Sequence, residues 1–169
     1  MKIESLRELF ETELSYAYDA EQKLVKKGLP TMIEEASSPE LKRALEQHLQ
    51  ETRNHVTRLE RVFSAAGLEP KTKGNDIFDE MESAVKDTIS HIESSPLRDA
   101  ALIVNGNKVE HYEMAIYGSL LAFAQQLGLR DIVASLQQTL EEEKAADAKL
   151  TQLAETSISP TAAQQQRAA

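Results

Sequence analysis

The chain contains no cysteine and no tryptophan. The first absence excludes a disulfide framework, a thiolate metal site and a cysteine nucleophile. Aromatic residues make up only 5%, too few for a platform that stacks single-stranded nucleic acid. Positive charge is also short: 19 Lys and Arg stand against 28 Asp and Glu, a net charge of −9. Such a surface repels phosphate backbones, so no nucleic-acid partner is expected. No apolar run approaches the roughly 18 residues of a membrane helix, and no membrane partner is expected either. The opening Met1-Lys2-Ile3-Glu4-Ser5 stretch is charged and does not read as a signal peptide, so the expected location is cytoplasmic. Helix breakers are scarce, with six glycines and five prolines in 169 residues. What remains is 41% hydrophobic, enough for one domain with its own core.

Those breakers divide the chain into long helix-forming stretches. The first runs from about Ile3 to Ala36, with Leu6, Phe10, Leu14, Ala17, Val25 and Met32 on one stripe. Gly28 and Pro30 lie inside it and predict a kink, because the stripe continues beyond them. Ser37-Ser38-Pro39-Glu40 reads as a capped start for the second helix, which ends at Gly67. Phe78, Met81, Val85 and Ile89 suit a shorter helix in the long stretch that follows. Ser94-Ser95-Pro96 repeats the serine–proline start and opens a third long helix, closed by Gly128. A fourth runs from about Arg130 to Glu155. Residues 158–169 lack an apolar period and are expected to form a disordered tail beyond a helical bundle of residues 1–157. Two short hairpin links and one long crossover predict an all-α, ferritin-like four-helix bundle with a short fifth helix in the crossover.

Acidic residues interrupt the apolar faces of these helices. At about 100° per residue, Glu21 falls under Leu14, Ala17 and Val25, and Glu110 lines up with Ile103, Met114, Tyr117 and Leu121. Glu143 and Asp147 share the face of Leu136, Leu140 and Leu150. On the second helix His48, Thr52 and His55 break the stripe, with Glu51 at its margin. Glu21, Glu51, Glu110 and Glu143 each lie near the midpoint of a helix, so matched helices bring them to one level.

Energy limits what such a layer can be. One buried carboxylate costs several kcal/mol, and four together approach the roughly 5–15 kcal/mol stability of a domain. None of the basic residues lies centrally on those faces. Two metal ions resolve the conflict, and an acid-rich, nitrogen-poor shell favours iron, with manganese next, over copper or zinc. The expected ligands are Glu21, Glu51, Glu110, Glu143 and Asp147 with an imidazole. His55, four residues after Glu51, and His48, three before it, are alternatives for that role. Glu113 falls near the edge of its face, as an outer group or an exposed one, while Tyr18 and Tyr117 flank the layer and His91 and His111 read as exposed.

The usual bundle pattern pairs single glutamates with Glu-x-x-His repeats. This chain departs from it, with Glu51 and His55 one residue further apart and Asp147 in place of a second histidine. The segments Ala20-Glu21-Gln22-Lys23-Leu24, His48-Leu49-Gln50-Glu51-Thr52, Val109-Glu110-His111-Tyr112-Glu113 and Glu141-Glu142-Glu143-Lys144-Ala145-Ala146-Asp147 resemble the YciF-type family of bacterial ferritin-like stress proteins. The resemblance spans residues 1 to about 157 and implies a ferritin-like bundle, a helix in the crossover and a dinuclear metal site. Around the second helix the family pattern includes His48 and Glu51 more clearly than His55.

Two functions follow. In the first, a carboxylate-bridged pair of metal ions handles iron, oxygen or peroxide as a small oxidant. In the second, the chain is a helical interaction module, forming a homo-dimer through its crossover helix, with a structural or vestigial site. No Gly-rich phosphate loop or nucleophile–base motif supports a nucleotide-binding or hydrolase function.

Overall fold

The computed structural model describes the backbone of residues 2–93 and 95–168. Its elements are α1 (Leu6–Lys23), a π-helical turn (Leu24–Gly28), α2 (Leu29–Glu35), α3 (Pro39–Ala65), α4 (Asp76–Ser90), α5 (Ser95–Gln126), α6 (Arg130–Leu153), a second π-helical turn (Ala154–Ile158) and α7 (Ser159–Ala168). The four limbs of the bundle are α1 with α2, α3, α5, and α6 with α7. The expected ferritin-like arrangement is therefore present, with α4 in the long crossover between α3 and α5 and packed against α5.

Local chemistry sets the ends of the limbs. Ser5 Oγ accepts from Glu8 N at 3.2 Å and Ser38 Oγ from Leu41 N at 3.3 Å, capping α1 and α3. Asp99 of α5 reaches the link before α3, where its carboxylate accepts from Ser37 N at 2.7 Å and Ser38 N at 2.9 Å. Asn75 Oδ1 accepts from Phe78 N at 3.1 Å and starts α4. The serine–proline start expected before α5 includes Ser94, which lies outside the described residues. Gly67 and Gly128 close α3 and α5 at φ 73° and 70°, a left-handed conformation that a side chain opposes.

The kink expected at Gly28 and Pro30 takes the form of a π turn. Leu29 N–H reaches back five residues to Leu24 O, just before the proline whose ring crowds the carbonyl four residues behind it. The same device recurs before Pro160, where Ser159 N–H bonds Ala154 O. This second turn corrects the expectation of a disordered tail from residue 158. The helix continues through α7, which packs on α5, and Ile158 is buried. A proline near the end was absorbed by widening one turn, not by stopping the helix.

The apolar core forms two clusters. One gathers Phe10, Leu14, Phe63, Leu120 and Leu136, the other Leu41, Leu45, Leu102, Ile103 and Leu150. Close approach in the second is assisted by Gly106 of α5, where an added Cβ would stand 2.8 Å from Leu150 Cδ1. Between the clusters the core is polar. No described helix is long and apolar enough to cross a membrane.

Candidate metal centre

Four limbs each send side chains into the polar layer: Glu21 from α1, His48 and His55 from α3, Glu110 and Glu113 from α5, and Glu143 from α6. All six are buried, and Glu21, His55 and Glu143 have no exposure at all. They form two groups with ligand atoms within 4.8 Å of one another: His48, Glu110, Glu113 and Glu143 in one, and Glu21, His55 and Glu143 in the other. Glu143 belongs to both. Its Oε1 lies 2.9 Å from His55 Nδ1 and its Oε2 3.9 Å from His48 Nε2. Glu21 Oε1 stands 3.3 Å from His55 Nδ1, and Glu110 Oε1 3.3 Å from His48 Nε2.

The two histidines, alternatives on sequence grounds, are thus assigned one to each group. Glu113 was placed too far out by the sequence pattern. The stripe of Met114 and Leu121 misjudged the face of α5 by about 70°, since both are only partly buried, while Gly106, Glu110, Glu113, Leu120 and Ala124 form the buried face. Because α4 covers α5 from one side, the buried arc extends past the face seen by the other limbs.

Glu51 and Asp147 do not converge with the others. Glu51 is partly exposed, accepts from Gln47 Nε2 at 2.9 Å and faces the outer nitrogen of His48 at 3.6 Å. Asp147 turns toward exposed His111 on α5, with Oδ1 3.3 Å from Nδ1. Tyr117, fully buried, donates its hydroxyl to Glu21, whereas Tyr18 donates to Glu60 at 2.9 Å, outside the layer.

A further acid, Glu142, holds His55 from behind, at 2.8 Å from its Nε2. Arg58 grips that carboxylate at 2.8 and 3.3 Å. With Glu142 accepting a hydrogen bond from Nε2–H, His55 aims Nδ1 at Glu21 and Glu143, the arrangement by which a carboxylate orients a metal-ligating imidazole. The signal in the sequence was the Arg58 position, three residues beyond His55 on the same helix, next to an acid preceding Glu143.

Electrostatics express the same crowding. Burial pushes Glu21 up despite the pull of His55. It raises Glu110 to about 8 against the attraction of His48, and drives Glu113 well above the usual carboxylate range, with Glu143 adding repulsion. For His48, burial opposes charge, but Glu110, Glu51 and Glu143 outweigh it and lift the group to about 9. Burial acts likewise on His55, where Glu21 and Glu143 prevail and raise it to about 11. Outside the layer Glu142 goes the other way: despite some desolvation, Arg58, Gln138 and His55 bring it to about 2.

Many polar atoms here also lack a hydrogen-bond partner among the described residues. They include both oxygens of Glu113 and of Glu143, one each of Glu21 and Glu110, and Nδ1 of His55. Buried polar atoms are rarely left so. Clustered acceptors facing one another fit cations, and oxygen donors with few nitrogens fit iron or manganese.

A four-limbed bundle with a single long crossover and a core layer of carboxylates and imidazoles, one glutamate common to both halves, defines a ferritin-like protein with a candidate dinuclear centre. The chain belongs to the family described as a domain of unknown function, DUF892, which matches residues 5–163. It is 36% identical to protein YciF of Escherichia coli (strain K12) over 163 residues, 96% of this chain and 98% of that one. Its structure is similar to that of the E. coli stress protein YciF, with a TM-score of 0.85 and 37% identity over 90% of this chain and 96% of the other. YcfI of Rhodopseudomonas palustris, described as a candidate structural protein, gives a TM-score of 0.86 and 39% identity over 89% and 95% of the two chains. A Xanthomonas campestris protein at 20% identity shares the fold, with a TM-score of 0.73 over 96% and 99%.

Proposed function

We propose that this YciF-like protein holds two metal ions in its core, iron foremost and manganese as the alternative, and handles iron, oxygen or peroxide as part of a stress response. The observation that carries the reading is Glu143, whose two buried oxygens face different imidazole–carboxylate groups. His48, Glu110 and Glu113 would hold one ion, Glu21 and His55 the other, with Glu143 common to both. Bound ions of this kind supply Lewis acidity and one-electron redox capacity. The chain's own groups do the rest. Glu142 and Arg58 fix the ring of His55, and Tyr117 holds Glu21 through its hydroxyl. Glu110 and Glu113, which burial favours in the protonated state, give up protons as positive charge arrives. Leucines and phenylalanines of the two apolar clusters pack on either side of the layer.

Anaerobic loading with ferrous or manganous ion followed by metal analysis tests the reading. About two ions per chain are expected for a dinuclear site, with a marked deficit in Glu143→Ala and Glu110→Ala. Loaded protein then goes to oxygen and peroxide consumption assays. No tight metal in the unaltered chain would remove the proposal.

The second reading, a homo-dimeric interaction module, is favoured by the apolar side chains left outside the core. Ile77 of α4 is 67% exposed, and Val104 and Leu97 of α5 are 55% and 51% exposed. Sedimentation equilibrium of the chain and of Ile77→Glu separates the two: a dimer abolished by the substitution, together with no metal uptake, would favour the module.

A further inference from the structure

Beside the first metal group lies a cavity of about 360 Å³ that the proposed function leaves without an occupant. It lies between α3 and α6, with the π turn and α2 behind it, and His48 and Glu110 form part of its wall. Buried Leu24, Leu29, Met32, Leu45 and Leu150 give it an apolar interior. Its rim is different. There Ala44 of α3 faces Ala145 and Ala146 of α6, side chains too small to close the seam between the two helices. The size and lining are those of a small-molecule site, apolar with a few placed polar groups.

The charges at the two ends differ. At the inner end stand His48 and Glu110 of the metal layer, with Glu110 Oε2 buried and without a hydrogen-bond partner, atoms that the proposed function gives to a metal ion. At the rim stands Lys149, exposed, with Ala145, Ala146, Gln152 and Leu153 at the positions three and four residues away on its helix. No acid at helical spacing neutralises it. Of the nearby acids of α6, Glu141 pairs with Lys144, and Asp147 lies on the side facing His111 of α5. Glu51, also at the rim, is turned to Gln47 and His48.

We infer that this cavity binds an aliphatic carboxylate, its head group at Lys149 and its hydrocarbon tail directed inward against His48 and Glu110. The inference rests on the metal reading for what the tail meets, and it names the class of organic molecule that reading would act on. An aliphatic alcohol would fill the same space without the head-group contact.

Octanoate is the probe, with 1-octanol as its neutral counterpart, titrated into the full chain with and without manganous ion. Metal stoichiometry is measured separately on every sample. The expected result is saturable octanoate binding with a negative heat-capacity change, the mark of apolar burial. Manganese should broaden the octanoate proton resonances progressively, most at the terminal methyl and least beside the carboxylate. Ala146→Phe, which fills the seam, should weaken both ligands about tenfold or more, equivalent to about 1.4 kcal/mol, with metal uptake retained. Lys149→Glu, a surface change, should weaken octanoate several-fold and leave octanol unchanged. Full metal uptake without octanoate binding, or with binding indifferent to both substitutions, would overturn this inference alone. Broadening greatest at the carboxylate end would overturn the orientation. Absence of metal uptake would remove the function proposed above, and with it the tail's partner.

Discussion

At the scale of single residues the layer depends on side chains that hold other side chains. Among the described residues Glu142 hydrogen-bonds one expected ligand, His55, and Arg58 hydrogen-bonds Glu142 and Thr139. Glu142→Leu should therefore keep the helical fold while weakening metal binding about 10–100-fold, measured by competition against a chelating indicator. Proton balance gives a second expectation. In the metal-free chain Glu110 and His48 sit at about 8 and about 9, above their ordinary 4.5 and 6.5. Both hold protons more tightly folded than unfolded, so their contribution to stability is full below the ordinary values and is lost as pH rises through the raised ones. The contribution of these two groups to the melting temperature of chelator-treated protein should therefore fall as pH rises from about 4.5 to about 9, and metal loading should flatten or reverse that slope. An unchanged slope after loading would contradict the assignment of these residues to the metal. Legibility at this scale followed the packing. Glu21, Glu110 and Glu143 were readable because each stands mid-helix on a stripe. Glu113 was missed because the cover that α4 gives α5 is invisible to a helix read alone. Asp147 was placed inward by its angle, yet its carboxylate lies toward exposed His111 on the neighbouring helix.

At the scale of elements, joints carry more than their length suggests. Asp99 sits 3% exposed near the start of α5 and satisfies two backbone donors in the link before α3. Asp99→Ala leaves those donors without their acceptor and should cost about 1–3 kcal/mol, seen as a lower urea midpoint with an unchanged slope. The bundle's end offers a sharper contrast. Residues 159–161, 163 and 164 are exposed, but Ile158 is 4% exposed. Truncation after Ile158 should change the melting temperature little, whereas truncation before it should cost about 2–4 kcal/mol, near that of emptying an isoleucine site. Sequence periodicity found every long limb because their stripes run for many turns. It failed at the last segment because a π turn shifts the stripe, so the apolar period looks broken where the helix is intact.

The whole molecule is a closed bundle around a layer that is unfavourable without positive charge. Metal binding and folding are therefore linked: any ion that binds only the folded chain stabilises it by mass action. Thermal midpoints should rise with free manganous ion and return on chelation, and the gain should be smaller in Glu143→Ala, where the carboxylate common to both groups is gone. A midpoint indifferent to metal would mean that protons alone balance the layer. The order of limbs was legible from two short links and one long one, since link length dictates which helices can be neighbours. The division of the polar layer into two groups was not, because it depends on which oxygen of a single carboxylate faces which ring. The paired π turns, each ending two residues before a proline, bear on how such a chain tolerates heritable changes in length. A π turn is in effect a helix with one residue to spare. Deleting a residue from Leu24–Gly28 would tighten the turn and keep Glu21 and Met32 facing as they do. The same deletion in α5 between Glu110 and Tyr117 would swing every later side chain by about 100° and turn Tyr117 away from the face of Glu110. Insertions and deletions in descendants of this sequence should accordingly collect at the two π turns and the crossover, sparing α3 and α5.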